Sequence, residues 1–237
     1  MTPNKNSRPP AKRKSNKTLF LAIGIIAIIL IGVGAYIVFG QSANPPASAT
    51  PTPTPNPSPT ASTSPSVTPT DPHYVNPTKV LLQTSAGNIT LELRTDKPIT
   101  TANFINIVNH GWYDGTTFHR VIAGFMIQGG QISQSIPAIA DEIGSDNHNT
   151  AYTITMAKTS QPNSATSEFF INVADNSKIT YQDGSTFDGT YSVFGRVVAG
   201  QNVVDSIANA QVSADPYSHE MSVPVQPVSV IKATIMP

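Results

Sequence analysis

The stretch from Leu19 to Phe39, LFLAIGIIAIILIGVGAYIVF, runs for 21 residues without a charged side chain. As a helix it would extend about 30 Å at 1.5 Å per residue, the thickness of a bilayer's hydrocarbon core. Residues 1–17 carry Lys5, Arg8, Lys12, Arg13, Lys14 and Lys17 and no acid. A basic flank ahead of such a run predicts that the N-terminus stays in the cytoplasm and that everything after the run is exported. Residues 18–40 are therefore read as a single-pass transmembrane anchor and residues 1–17 as a basic cytoplasmic tail. Topology accounts for that basic charge without invoking nucleic acid. Gln41-Ser42-Ala43 would suit a peptidase if the run were a cleaved signal peptide. The run is longer than the ~7–15 residues of a signal h-region, which favours an uncleaved anchor. The chain has no Cys. That excludes a lipid-modified cysteine, a disulfide scaffold, a Cys-ligated zinc site, an iron–sulfur cluster and a cysteine nucleophile.

Beyond the anchor the composition changes twice. Residues 41–77 hold 11 of the 21 prolines, interleaved with Ser and Thr. Such a segment has too little apolar surface to offset its ordering entropy, so it is read as a disordered Pro/Ser/Thr-rich linker that spaces a domain from the membrane. Residues 78–237 carry eight of the basic residues against thirteen acids, a net charge of −5, although the whole chain sums to zero. A mildly acidic exported domain is a poor nucleic-acid binder. About 160 residues suffice for a full core.

Periodicity within this third piece predicts strands at 79–84, 88–94, 117–121, 125–128, 152–156, 169–173, 191–198 and 228–234. Ile89, Leu91 and Leu93 alternate on one face of the second. Ser85-Ala86-Gly87 turns the first pair into a hairpin. A helix capped by Thr100 runs to about Asn109 and is ended by Gly111. A second spans 201–210. Eight strands that do not alternate with helices imply an antiparallel barrel or sandwich, mostly β. Standard reaction motifs are missing. Gly129-Gly130 is not followed by Lys-Ser/Thr, and no Ser sits in a nucleophile elbow. His73, His110, His119, His148 and His219 lack ligand spacing, so no metal is expected. Asp141 and Glu142 are adjacent and point opposite ways on an extended segment, which suggests solvated loop acids.

The run Phe118-His119-Arg120-Val121-Ile122-Ala123-Gly124-Phe125-Met126-Ile127-Gln128-Gly129-Gly130 resembles the signature of the cyclophilin family of peptidyl-prolyl cis–trans isomerases. Ser164–Val173 is similar to the family's second motif, and Val193–Val197 with Gly200 to its third. Asp114-Gly115-Thr116 and Asn163-Ser164-Ala165-Thr166 favour the bacterial type, here membrane-anchored. The resemblance runs from about Lys79 to Thr234. It implies a closed eight-stranded antiparallel barrel capped by two helices, a substrate groove on the outer face, and neither cofactor nor metal. The substrates would be proline-containing segments of exported proteins, handled by a monomeric catalytic domain.

By the same resemblance Arg120 is the catalytic arginine, and Gln128 orients it and contacts substrate backbone. Phe125, Met126 and Phe170 form the proline pocket, with Phe169 in the core. Ala157 lines the subsite for residues before proline, and Tyr191 and Ile179 are further walls. His119 lies beside the arginine. Glu168 stands where Gln is usual, which places a carboxylate near Arg120. Lys178 takes the place of an aromatic residue that contacts cyclosporin, unless the 177–181 loop realigns to bring Tyr181 there. The Lys178 placement predicts weak cyclosporin inhibition. A second reading is a tethered module that binds proline segments without turning them over, and a third is a stalk protein whose domain only docks a partner.

Overall fold

The computed structural model describes residues 71–237. The basic tail, the apolar run and residues 41–70 of the expected linker lie outside the described residues. Among the described residues no helix is long and apolar enough to cross a membrane.

The chain opens with β1 (Lys79–Thr84) and β2 (Gly87–Leu93). Val80 and Leu82 of β1 and Ile89, Leu91 and Leu93 of β2 are fully buried, so the alternation read from sequence is the alternation of burial. Helix α1 (Pro98–Asn109) follows. It starts two residues before the expected cap. Pro98 supplies the fixed φ that suits a first helical position, and Thr100 lies inside the first turn with its hydroxyl buried and unpartnered. The free N–H groups of that turn are taken instead by Glu142. Ile99 N–H donates to its Oε1 at 3.2 Å and Thr100 N–H to its Oε2 at 2.7 Å. Asp141 accepts from Lys158 Nζ at 2.8 Å. Neither acid is the solvated loop residue expected from sequence. At the other end Gly111, at φ +66°, donates to Val108 O, and Trp112 N–H donates to Ile107 O, a Schellman closure.

The next strands are β3 (Arg120–Ile122), β4 (Met126–Gly129), β5 (Thr153–Met156), β6 (Phe169–Asn172) and β7 (Val193–Ala199). After α2 (Gln201–Ala208) come β8 (Val212–Ala214), β9 (Met221–Pro224) and β10 (Val230–Ile235). Eight strands form one antiparallel sheet in the order β10-β1-β2-β7-β5-β6-β4-β3, and β8 and β9 pair as a separate hairpin. The closed barrel implied by the resemblance is corrected here, because the sheet is open. No ladder joins its edges β3 and β10. The expected strand at 117–121 begins only at Arg120; the residues before it meet the start of β10 through one bridge, Thr117 to Ser229, and through backbone hydrogen bonds from Gly115 to Val230, Val230 to Thr116 and Phe118 to Val228, without forming a ladder. The hairpin strand β9 lies beside β3. The sequence reading did not anticipate that hairpin.

Inside the curved sheet Phe104 of α1 meets Tyr113, Phe169 and Phe194 at ring-centroid distances of 5.0, 5.6 and 5.1 Å. Gly130, at φ +80°, explains the end of the double glycine: a Cβ there would lie 2.7 Å from the Phe169 ring. The folded unit also begins earlier than expected. Asp71–Tyr74, assigned from sequence to the linker, lie against the domain. Arg196 stacks 3.9 Å over the Tyr74 ring and pairs with Asp71 at 3.4 Å. His73 Nδ1 lies 2.9 Å from Asp96 and 3.3 Å from Asp146. Burial pushes the Tyr74 hydroxyl up to about 12, against the pull of Arg196.

Candidate active site

Strand alternation gives the sheet a second apolar surface. In β4 and β6 the side chains of Ile127, Phe169 and Ile171 join the core, while Met126 and Phe170 join a separate outer cluster with Phe187. Around that cluster lies a groove of about 530 Å³. Its floor is Phe125, Met126 and Phe170. Ile122, Ala157, Ile179, Tyr181, Phe187 and Tyr191 form the walls, and Arg120, Gln128, Lys158, Glu220 and Met221 supply the polar and outer rim. Phe187 keys the aromatic side, with ring centroids 5.6 Å from Phe125, 5.7 Å from Phe170 and 4.7 Å from Tyr191.

The polar rim is an ordered chain. Arg120 and Gln128 are direct cross-strand partners on β3 and β4. Arg120 Nη1 donates to Gln128 Oε1 at 3.3 Å and lies 3.9 Å from Met126 Sδ on the groove floor. Gln128 Nε2 donates to Glu168 Oε2 at 2.8 Å. On its other side Arg120 donates through Nε and Nη2 to the two oxygens of Glu220, at 2.6 and 2.8 Å. The hydrogen bond from Arg120 holds the Glu220 carboxyl below its usual range, against partial burial. Burial pushes Glu168 up, but His119 and Gln128 outweigh it, so its carboxyl also titrates low. His119 Nε2 lies 3.4 Å from Glu168 Oε2, and neither ring nitrogen makes a hydrogen bond.

No step that this geometry suits requires a nucleophile or a metal. His73, Asp96 and Asp146 are close enough to share an ion. Arg94 sits among them, however, bonding both carboxylates, and that makes the group an ion-pair cluster. What the groove offers is an apolar floor with one fixed, permanently charged donor at its edge.

Residues 79–235 match the family model for cyclophilin type peptidyl-prolyl cis–trans isomerases. The chain belongs to the cyclophilin family. It is 45% identical over 167 residues to peptidyl-prolyl cis–trans isomerase A of Dickeya dadantii, an alignment covering 67% of this chain and 85% of that protein. It is 44% identical over 164 residues to peptidyl-prolyl cis–trans isomerase cyp18 of Streptomyces antibioticus, covering 66% of this chain and 98% of that one. A cyclophilin type isomerase of Cryptosporidium parvum, crystallised in the presence of the dipeptide Ala-Pro, superposes with a TM-score of 0.55 at 26% identity, over 67% of this chain and 99% of its own.

Of the site residues named from sequence, this cyclophilin brings Arg120, Phe125, Met126, Gln128, Ala157, Phe170, Ile179 and Tyr191 into the groove. His119 and Glu168 do not line it. They stand behind Gln128, and Glu168 opens instead on a shallow polar recess with Gln131 and Thr166. Tyr181 lines the wall, whereas Lys178 is exposed and does not. The loop therefore takes the register that places the aromatic residue at the groove. Sequence reasoning missed Phe187, Lys158, Met221 and Glu220. A buried Phe in a run of Gly, Ser and Asp could have flagged Phe187. Glu220 has no local signal, being 100 residues from the arginine it meets.

Proposed function

We propose that this cyclophilin is a membrane-tethered prolyl isomerase that acts outside the membrane on Xaa-Pro bonds of proteins folding after export. The observation that carries the catalytic part is Arg120 Nη1, fixed at the edge of an apolar floor. Amide resonance opposes rotation with a barrier of ~18–20 kcal/mol, and uncatalysed Xaa-Pro exchange takes tens to hundreds of seconds. In the twisted state the prolyl nitrogen loses conjugation and becomes pyramidal, so its lone pair can accept a hydrogen bond. The planar ground state offers no such acceptor. A donor placed there favours the transition state over both isomers, which is what lowers a barrier. Phe125, Met126 and Phe170 hold the proline ring while the preceding carbonyl turns. Gln128 supplies the hydrogen bond that keeps the guanidinium in register. The location rests on the uncharged run 19–39 behind a basic flank.

The test of the chemistry is exchange in a short Ala-Pro-Phe peptide, followed by NMR, with the full chain held in detergent and Arg120→Ala as control. Acceleration by the parent and its loss in the variant are expected. Peptide bound in the groove without acceleration would favour a non-catalytic proline-binding module instead. Protease added outside intact cells tests the location, and should remove the domain while sparing the basic tail.

A further inference from the structure

The β8–β9 hairpin carries Glu220 to the guanidinium face that looks away from the groove floor. We propose that Glu220 is a positioning residue for the isomerase reaction, fixing the orientation in which Arg120 presents Nη1 to the prolyl nitrogen; this rests on reading Arg120 as the catalytic donor.

Three observations support it. First, the contact is a two-point fork. Nε and Nη2 each meet a separate oxygen, at 2.6 and 2.8 Å, so the guanidinium plane is set as well as its distance. This pairing uses the edge that Gln128 does not reach and leaves Nη1 on the groove side. Without Glu220 only Nη1 would be held, by the 3.3 Å bond to Gln128 and the 3.9 Å contact with Met126 Sδ, on a long side chain with many rotamers. Second, the whole rim has one consistent polarity. Arginine only donates and a carboxylate only accepts. Gln128, lying between Arg120 and Glu168, can therefore turn only its oxygen to the arginine and its NH₂ to the glutamate. The chain is ended by an acceptor on each side, Glu168 and Glu220, and every member between them has one orientation. Third, Glu220 is itself held. Asp215 N–H donates to Glu220 O at 2.8 Å, and Asp215 Oδ1 receives the N–H groups of Tyr217 and Ser218 at 3.0 and 2.7 Å. The turn between β8 and β9 is thus a knit loop that presents its carboxylate from a defined place.

Alignment of a catalytic donor is worth a large factor in rate, because small misplacements are costly. The effect should appear in kcat and not in KM, since Glu220 takes no part in holding the proline ring. The experiment measures peptide exchange with the full chain in detergent for Glu220→Ala, Glu220→Gln, Arg120→Ala and the Glu220→Ala/Arg120→Ala pair. Expected is a fall in kcat of about tenfold for Glu220→Ala with KM within about twofold, since lost orientation raises the barrier and leaves binding alone. Glu220→Gln keeps one acceptor oxygen and should recover part of the loss. It also preserves the test if the alanine variant does not fold. In the Arg120→Ala background Glu220→Ala should add nothing. A rise in kcat/KM for Glu220→Ala would overturn the proposal, because the carboxylate would then be competing with substrate. So would an equal loss with and without Arg120. If Arg120→Ala leaves exchange unchanged, the reading of Arg120 has failed. If Arg120→Ala slows exchange and both Glu220 variants do not, only the role of Glu220 has.

Discussion

Phe169 and Phe170 are adjacent in one strand and belong to two different apolar assemblies. Phe169 is fully buried among Phe104, Tyr113 and Phe118, with every side of its ring met by protein. Phe170 is nearly as buried, but it stands on the outer surface of the same sheet beside Phe187 and Tyr191. Its assembly is small and is not roofed over. The first has closed on itself and can only stabilise. The second is left with a free apolar face and an arginine at its edge, and so can take a ring from elsewhere. A single pleat therefore separates what holds the molecule from what the molecule can hold.

Truncation should break this comparison most visibly. Phe169→Ala is expected to cost about 3–5 kcal/mol of stability, read from urea unfolding of the full chain, because the closed core cannot refill the space. Arg120→Ala should leave that unfolding curve near its parent position and lower peptide exchange at least tenfold, about 1.4 kcal/mol of transition-state stabilisation. Phe170→Ala should fall between these. Its ring is worth about 1.5–3 kcal/mol of burial, and peptide KM should rise with the loss of the floor. A Phe170→Ala variant as unstable as Phe169→Ala, with unchanged KM, would show that the outer assembly is merely more core.

Acid sharpens the contrast. Glu220 on the groove rim and Glu168 behind Gln128 are both held below the ordinary 4.5. A depressed carboxyl stabilises fully above its unfolded value and loses that contribution as pH falls through the lower, folded one. In the core, burial pushes the Tyr113 hydroxyl well above 10, so it titrates at the alkaline end. The fold's own acid-sensitive pair, Asp96 and Asp146, is held low by hydrogen bonds from Arg94 and starts from a lower ordinary value than glutamate. Lowering pH from 7 toward 3 should therefore reduce exchange before the fold is lost, and Glu220→Gln should flatten that acid limb. The smallest expected effect is that of Glu168→Gln, under about threefold in kcat/KM, because an amide oxygen can still accept from Gln128. A large loss there would give the Glu168 charge a role beyond orienting its neighbour.

The strands and the helices were legible because their signals are local. Alternation marked Ile89, Leu91 and Leu93, and Gly111 marked the end of α1. Most groove residues were legible only through the resemblance, since nothing in spacing alone says that Phe125 lines the groove and Phe118 lies in the core. What stayed hidden came from pairings between distant segments. Glu142 caps a helix more than forty residues away, and Glu220 reaches Arg120 across the sheet's open edge. Neither partner carries a mark in its own neighbourhood. The expected closure failed for a related reason: whether two edge strands meet depends on where β3 begins, and one residue of strand propensity at Thr117 does not decide that.

The first described residues have a mechanical consequence. Asp71 pairs with Arg196, His73 hydrogen-bonds Asp96, and Tyr74 lies under the Arg196 guanidinium; Asp71, His73 and Tyr74 all precede β1 along the chain. Tension entering from the N-terminal side therefore loads these contacts before any hydrogen bond of the sheet. Ion pairs part over a short extension and re-form when slack returns. Under such a load the clamp is expected to part before β1 separates from its neighbours.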